Sequence, residues 1–76
     1  QIGYQLLGAG KIDDAIAIFK LNIEAFPNAG NPHDSLGEAY AAKGEKALAI
    51  KSYARSLELD PTNANAVERL VALTKQ

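Results

Sequence analysis

Apolar side chains recur along this chain at spacings of three and four residues, and no segment alternates with period two. That is the rhythm of helices with one buried face, and no strand is expected. Ile2, Leu6 and Ala9 predict a short helix over residues 1–9, ended by Gly8 and Gly10, which supply a helix stop and a tight turn. Ala15, Ile16, Phe19, Ile23 and Phe26 form the apolar stripe of a second helix over residues 12–26. Asp13 and Asp14 sit in its first turn, where carboxylates favour the positive end of the dipole, and Pro27 stops it. After the short loop Asn28-Ala29-Gly30, Asn31 as N-cap and Pro32 as first helical residue predict a third helix. Asp34 adds a capping-box-like acid, Leu36, Ala39 and Tyr40 make the buried face, and Gly44 ends the helix. The fourth helix is expected over residues 46–59, with Leu48, Ala49, Ile50, Tyr53 and Leu57 apolar and Asp60-Pro61 as the stop. The fifth starts between Asn63 and Asn65 and runs to about Lys75, carrying Val67, Leu70, Val71 and Leu73. Every loop is short, so successive helices should pack as antiparallel neighbours.

The landmarks of this pattern repeat after 34 residues. Gly3 falls on Gly37, Gly10 on Gly44, Ala15 on Ala49, Phe19 on Tyr53, Glu24 on Glu58, Pro27 on Pro61 and Asn31 on Asn65. A fixed period in this range marks a repeat architecture, in which each supersecondary unit stacks on the next. The small residues at Gly37 and Ala49 let the two helices of a unit approach, and Tyr40 and Tyr53 fill the space around that contact. Pro61 forces the turn into the next unit.

The middle unit reads His33-x2-Leu36-Gly37-x2-Tyr40, then Ala49-x3-Tyr53, then Pro61. This resembles the tetratricopeptide repeat pattern W-x2-L-G-x2-Y, Ala-x3-Phe, Pro, with His33 in the Trp position. The first unit supplies Gly3-x2-Leu6, Ala15-x3-Phe19 and Pro27; the third keeps Val67-x2-Leu70 but has Val71 for Gly and Thr74 for Tyr. The resemblance covers the whole chain. It implies an all-α fold of antiparallel helix-turn-helix repeats stacked as a short right-handed α-solenoid of about five helices. Residues 1–29 would be a truncated first repeat, 30–63 a complete second one and 64–76 a capping helix. Gly3, Ala15, Phe19, Pro27, His33, Leu36, Gly37, Tyr40, Ala49, Tyr53 and Pro61 take the packing positions. Stretches such as Asp34-Ser35-Leu36-Gly37-Glu38-Ala39-Tyr40 and Tyr53-Ala54-Arg55-Ser56-Leu57-Glu58-Leu59 are also similar to C-terminal tetratricopeptide tails of bacterial serine hydrolases, both β-lactamase-like and esterase-like. On that alternative the chain is a structural or oligomerising appendage of a catalytic domain lying upstream.

Composition narrows the chemistry. The chain is 47% apolar and 22% charged, with net charge −1, no cysteine and a single histidine. Lys and Arg are scattered among acids, so there is no basic patch to suggest nucleic acid. No apolar run approaches the roughly 18 residues of a membrane span. Thiolate metal sites and disulfides are excluded, and no carboxylate or histidine cluster has zinc spacing. Ser35, His33 and Asp34 do not make a catalytic triad, because helix positions one and two apart point away from each other. His33 reads as a packing residue, and the acids Asp13, Asp14, Glu45 and Asp60 as cap and dipole residues. The chain opens without Met inside a helical pattern, as a fragment would, and the compartment, cytoplasmic or exported, is left open.

The tetratricopeptide resemblance implies that the first helix of each unit lines an inner groove that holds a peptide or partner protein. Carried onto this chain, the groove positions are Tyr4, Leu7 and Gly8, then Asn31, Asp34, Glu38, Ala41 and Ala42, then Asn65, Glu68 and Ala72. The cationic clamp that some repeats use for acidic chaperone tails is absent, since Tyr4, Ser35 and Asn65 replace its Asn, Asn and Lys and only Arg69 matches. The expected partner is neutral or basic with an apolar anchor, with no cofactor, nucleic acid or membrane. The same face reads equally as plain solvated surface. With about two repeats and Ile2 and Leu6 poorly covered, weak self-association through the first helix is expected at high concentration.

Overall fold

A computed structural model describes residues 1–75 and folds them into five helices. These are α1 (Ile2–Gly8), α2 (Ile12–Ala25), α3 (Gly30–Lys43), α4 (Lys46–Leu59) and α5 (Ala64–Thr74), joined by loops of two to four residues. Each helix packs on the next along the chain. All regular structure among the described residues is helical, as the apolar period requires.

The 34-residue repeat is visible in the backbone itself. At the end of α1, Lys11 N–H donates to the Leu6 carbonyl at 2.9 Å and Gly10 N–H to Leu7 at 3.1 Å. At the end of α3 the same pair recurs, Glu45 to Tyr40 at 2.9 Å and Gly44 to Ala41 at 3.1 Å. This paired closure requires a left-handed residue, and Gly10 and Gly44 supply it with φ of +80° and +88°. The helix ends before Pro27 and Pro61 also match: Phe26 N–H bonds to Asn22 and Asp60 N–H to Ser56, at 2.9 and 2.8 Å.

The core has two clusters, one per helix pair. Ala15, Ile16, Phe19, Leu36 and Ala39 form the first, with Leu6, Leu7, Ile12 and Ile23 packed around it. Ala49, Tyr53 and Ala66 form the second, flanked by Leu57, Leu70 and Leu73, and Tyr40 touches both. The period also shows in how rings meet glycines. A Cβ on Gly37 would stand 3.0 Å from three carbons of the Tyr53 ring, and one on Gly3 only 2.3 Å from the Phe19 ring. The small residue of each first helix therefore seats the aromatic of the second. Gly37 makes room for the Tyr53 ring itself, where the pattern suggested a close helix approach with Tyr40 and Tyr53 filling the space around it.

Several expectations need correction. Asn31 does not cap α3: the helix begins at Gly30, two residues earlier than expected, Ala29 is its N-cap and no side chain bonds there. Asp34 makes no capping box, because its carboxylate turns to Asn63 and Asn65 instead. Phe26 leaves the apolar stripe of α2; it is the residue after the last helical turn and is 65% exposed. Leu48, Val67 and Val71 are apolar yet 40–46% exposed, on sides of α4 and α5 that the other described residues leave partly open. Conversely, Ser35, Ser52 and Ser56 are buried, which a reading by apolar period cannot detect.

Candidate partner-binding face

Asp34, Glu38 and Ala41 stand at i, i+4 and i+7 on α3 and so share one side of that helix. The repeat sets Asn65, Glu68 and Ala72 at the corresponding side of α5, and Tyr4 at that of α1. Two hollows open on this side. One of about 230 Å³ is lined by Glu38, Ala41, Tyr53, Arg69, Ala72 and Leu73. The other, about 280 Å³, is lined by Asn65, Glu68, Arg69 and Ala72. The helix faces bring Glu38, Ala41, Asn65, Glu68 and Ala72 to these hollows. Arg69, which matched the clamp position, and Tyr53 join them; Tyr53 was not among the groove positions, because it comes from the second helix of its unit.

The remaining groove candidates sit differently. Leu7 packs half-buried against the first core cluster. Asn31 and Ala42 are exposed and line neither hollow. Tyr4 bridges inward: its hydroxyl and that of Ser35 lie 2.7 Å apart, and its ring meets Phe19 edge-on at 5.2 Å.

Asp34 is held by amides. Asn63 Nδ2 donates to one carboxylate oxygen at 3.0 Å, and Asn65 Nδ2 reaches both oxygens at 3.1 and 3.3 Å. Asn63 also donates to Ser56 Oγ at 3.0 Å, and Ser56 donates to the Gly30 carbonyl at 2.9 Å. Asn63 Oδ1 in turn accepts from Ala66 N–H at 3.2 Å and caps α5. One polar chain thus ties α3, α4 and the start of α5 together. Within it Asp34 links α3 to the two asparagines at the start of α5.

The tyrosines report the field of this face. Burial pushes the Tyr53 phenol up to about 12, and the carboxylates of Asp34 and Glu38 push the same way while Arg69 opposes them. Burial raises Tyr4 as well; the Ser35 hydrogen bond works against it, and Glu38 and Asp34 add to the rise. The phenols therefore stay neutral beside two carboxylates and one guanidinium.

His33 lies on the other side of α3, against Leu36, Tyr40, Leu48, Lys51, Ser52 and Arg55, which line a hollow of about 300 Å³. Its pKa is lowered, first by burial and then by the Arg55 charge. It is half-buried, and Ser35 is engaged with Tyr4, so the three neighbours His33, Asp34 and Ser35 diverge. Among the described residues no cluster of three His, Asp or Glu could hold a metal ion, and no helix is long and apolar enough to cross a membrane.

Human and mouse Superkiller complex protein 3 are each 34% identical to this chain over 71 residues. The match takes in 93% of this chain but only 4% of either protein's length. Neither is named as a hydrolase, and the likeness to hydrolase tails gains no support from them. A family model described as tetratricopeptide repeat matches residues 31–63, the span of α3, α4 and the turn into α5. With the landmark residues packed ring on glycine inside that span, the chain carries a tetratricopeptide repeat, a family whose members generally mediate protein–protein interaction.

Proposed function

We propose that this chain is a protein-interaction module, and that the side of α3 and α5 carrying Glu38, Arg69 and Ala72 receives an extended segment of a partner protein. The observation that carries this reading is the pair of adjoining hollows, floored by Ala41, Ala72 and Tyr53 and edged by Glu38, Glu68 and Arg69. Small side chains let a backbone approach, and charged edges orient it. The partner is neutral or basic with an apolar anchor. Glu38 and Glu68 outnumber Arg69, while Asp34 already accepts from two asparagine amides. Its role is binding and not catalysis, since His33, Asp34 and Ser35 diverge and Ser35 is engaged by Tyr4. The relatives are named as a complex protein, which fits a module that holds partners together.

In this reading residues 1–29 form a partial repeat, 30–63 a whole one and 64–76 a capping helix. Titration with acidic and basic peptide libraries tests the charge preference. Basic or neutral peptides should bind, Glu38→Lys should weaken them, and a preference for acidic peptides would refute the reading. Ile2, on α1, is strongly exposed, and this supports weak self-association through that helix. Sedimentation at millimolar protein should show dimer, and a pure monomer there would exclude it.

A further inference from the structure

The hollow beside His33 lies across α3 from the proposed groove and plays no part in it. Leu36, Tyr40 and Leu48 give it an apolar floor, and Leu48 is 40% exposed. Lys51, Arg55 and Glu58 stand at its rim, with Arg55 Nη1 3.4 Å from Glu58 Oε2 in an exposed pair. Two cations against one carboxylate leave the rim net positive. At about 300 Å³ the space is at the lower end of small-ligand sites and suits one flat ring.

We propose that this outer hollow is a second binding site, taking an aromatic side chain that stands next to a carboxylate in a partner peptide. The ring lies on Leu36 and Leu48 within reach of the Arg55 guanidinium, which is attracted to its face. The carboxylate meets Lys51. His33 lines the space from α3, and burial together with Arg55 keeps its imidazole uncharged, so it adds no competing cation to the apolar floor. The charge preference is opposite to that of the inner side, which makes the two sites separable.

The probes are acetyl-Trp-Glu-amide and acetyl-Trp-Lys-amide, titrated into the isotope-labelled chain and followed by amide NMR shifts. The glutamate probe should shift Leu36, Leu48 and Ser52 saturably in the millimolar range and bind several-fold tighter than the lysine probe. Lys51→Ala with Arg55→Ala should weaken it by about fivefold, the loss expected for two exposed charge contacts. His33→Trp should fill the hollow from within, abolish the shifts and leave the melting temperature no lower. Absence of saturable shifts at these amides, equal binding of both probes, or undiminished binding to His33→Trp would each overturn the proposal. Shifts confined to Glu38, Ala41 and Ala72 would overturn it too while leaving the inner groove standing.

Discussion

Gly37 and Gly8 both lie within helices, and replacing each by alanine should have effects of opposite sign. On propensity alone either change favours the helix by up to about 1 kcal/mol. At Gly8 a new Cβ meets nothing within 4 Å, so most of that gain should survive. At Gly37 the new Cβ would stand 3.0 Å from three carbons of the Tyr53 ring, tighter than ordinary contact by about half an ångström. Tyr53 is 1% exposed and packed with Ala49 and Ala66, so the ring has little room to retreat. Overpacking of this kind costs roughly 1–3 kcal/mol, which offsets the propensity gain and leaves Gly37→Ala destabilised by about 0–2 kcal/mol. For a domain of this size each kcal/mol moves the melting temperature by about 4–8 °C. Thermal melts followed by circular dichroism should therefore rise by a few degrees for Gly8→Ala and hold or fall by up to about 15 °C for Gly37→Ala. A Gly37→Ala protein that melts higher by the full propensity gain would show that the ring does not rest on this glycine, and the ring-on-glycine account of the repeat would fail.

Tyr53→Ala should cost roughly 3–5 kcal/mol by opening a cavity in the second cluster, enough to leave much of the chain unfolded by urea titration. Asp34→Ala should take one of two acceptors from Asn63 and the carboxylate from Asn65 at a cost of about 1–2 kcal/mol, and hydrogen exchange should speed first in α5, ahead of α2 and α3. Tyr53 stays protonated in the fold up to about 12, while the unfolded chain ionises it near 10. The unfolded state then holds fewer protons across that interval, so stability should fall as pH rises from about 10 to about 12. Denaturant melts across that range, compared with Tyr53→Phe, check the sign. Breaking the exposed Lys43–Asp13 pair, 2.7 Å long, by Lys43→Ala should leave the melting temperature almost unchanged, and the difference should vanish in high salt.

The helices and their order were legible in the sequence, because a 3.6-residue apolar period, glycine stops and proline stops are all local signals. The repeat was legible for the same reason: Gly10 and Gly44 recur where the backbone must turn left-handed, and each closes its helix with the same two hydrogen bonds. What was missed is polar and long-range. Asp34 read as a local cap and as a groove residue, yet its carboxylate is taken by two asparagines about 30 positions away, which no local pattern announces. Ser56 read as an unremarked polar residue of α4, yet it is fully buried and donates a hydrogen bond to the Gly30 carbonyl. The expected groove positions lie in different surroundings. Helix faces brought Glu38, Ala41, Glu68 and Ala72 to the hollows, while Leu7 was drawn into the core because α1 packs directly on α2.

The sequence by itself determined that this chain is a run of short helices with one repeated unit, since periodicity and turn chemistry act within a few residues. Tertiary structure decided which polar groups are consumed and which face outward. Gly37 became the seat of a ring only when α4 lay across α3, and Asp34 became a fastening for α5 only when Asn63 and Asn65 came within 3.3 Å. Hydrogen bonds and ring contacts depend on distance in space and on desolvation, and neither is set until the helices have met.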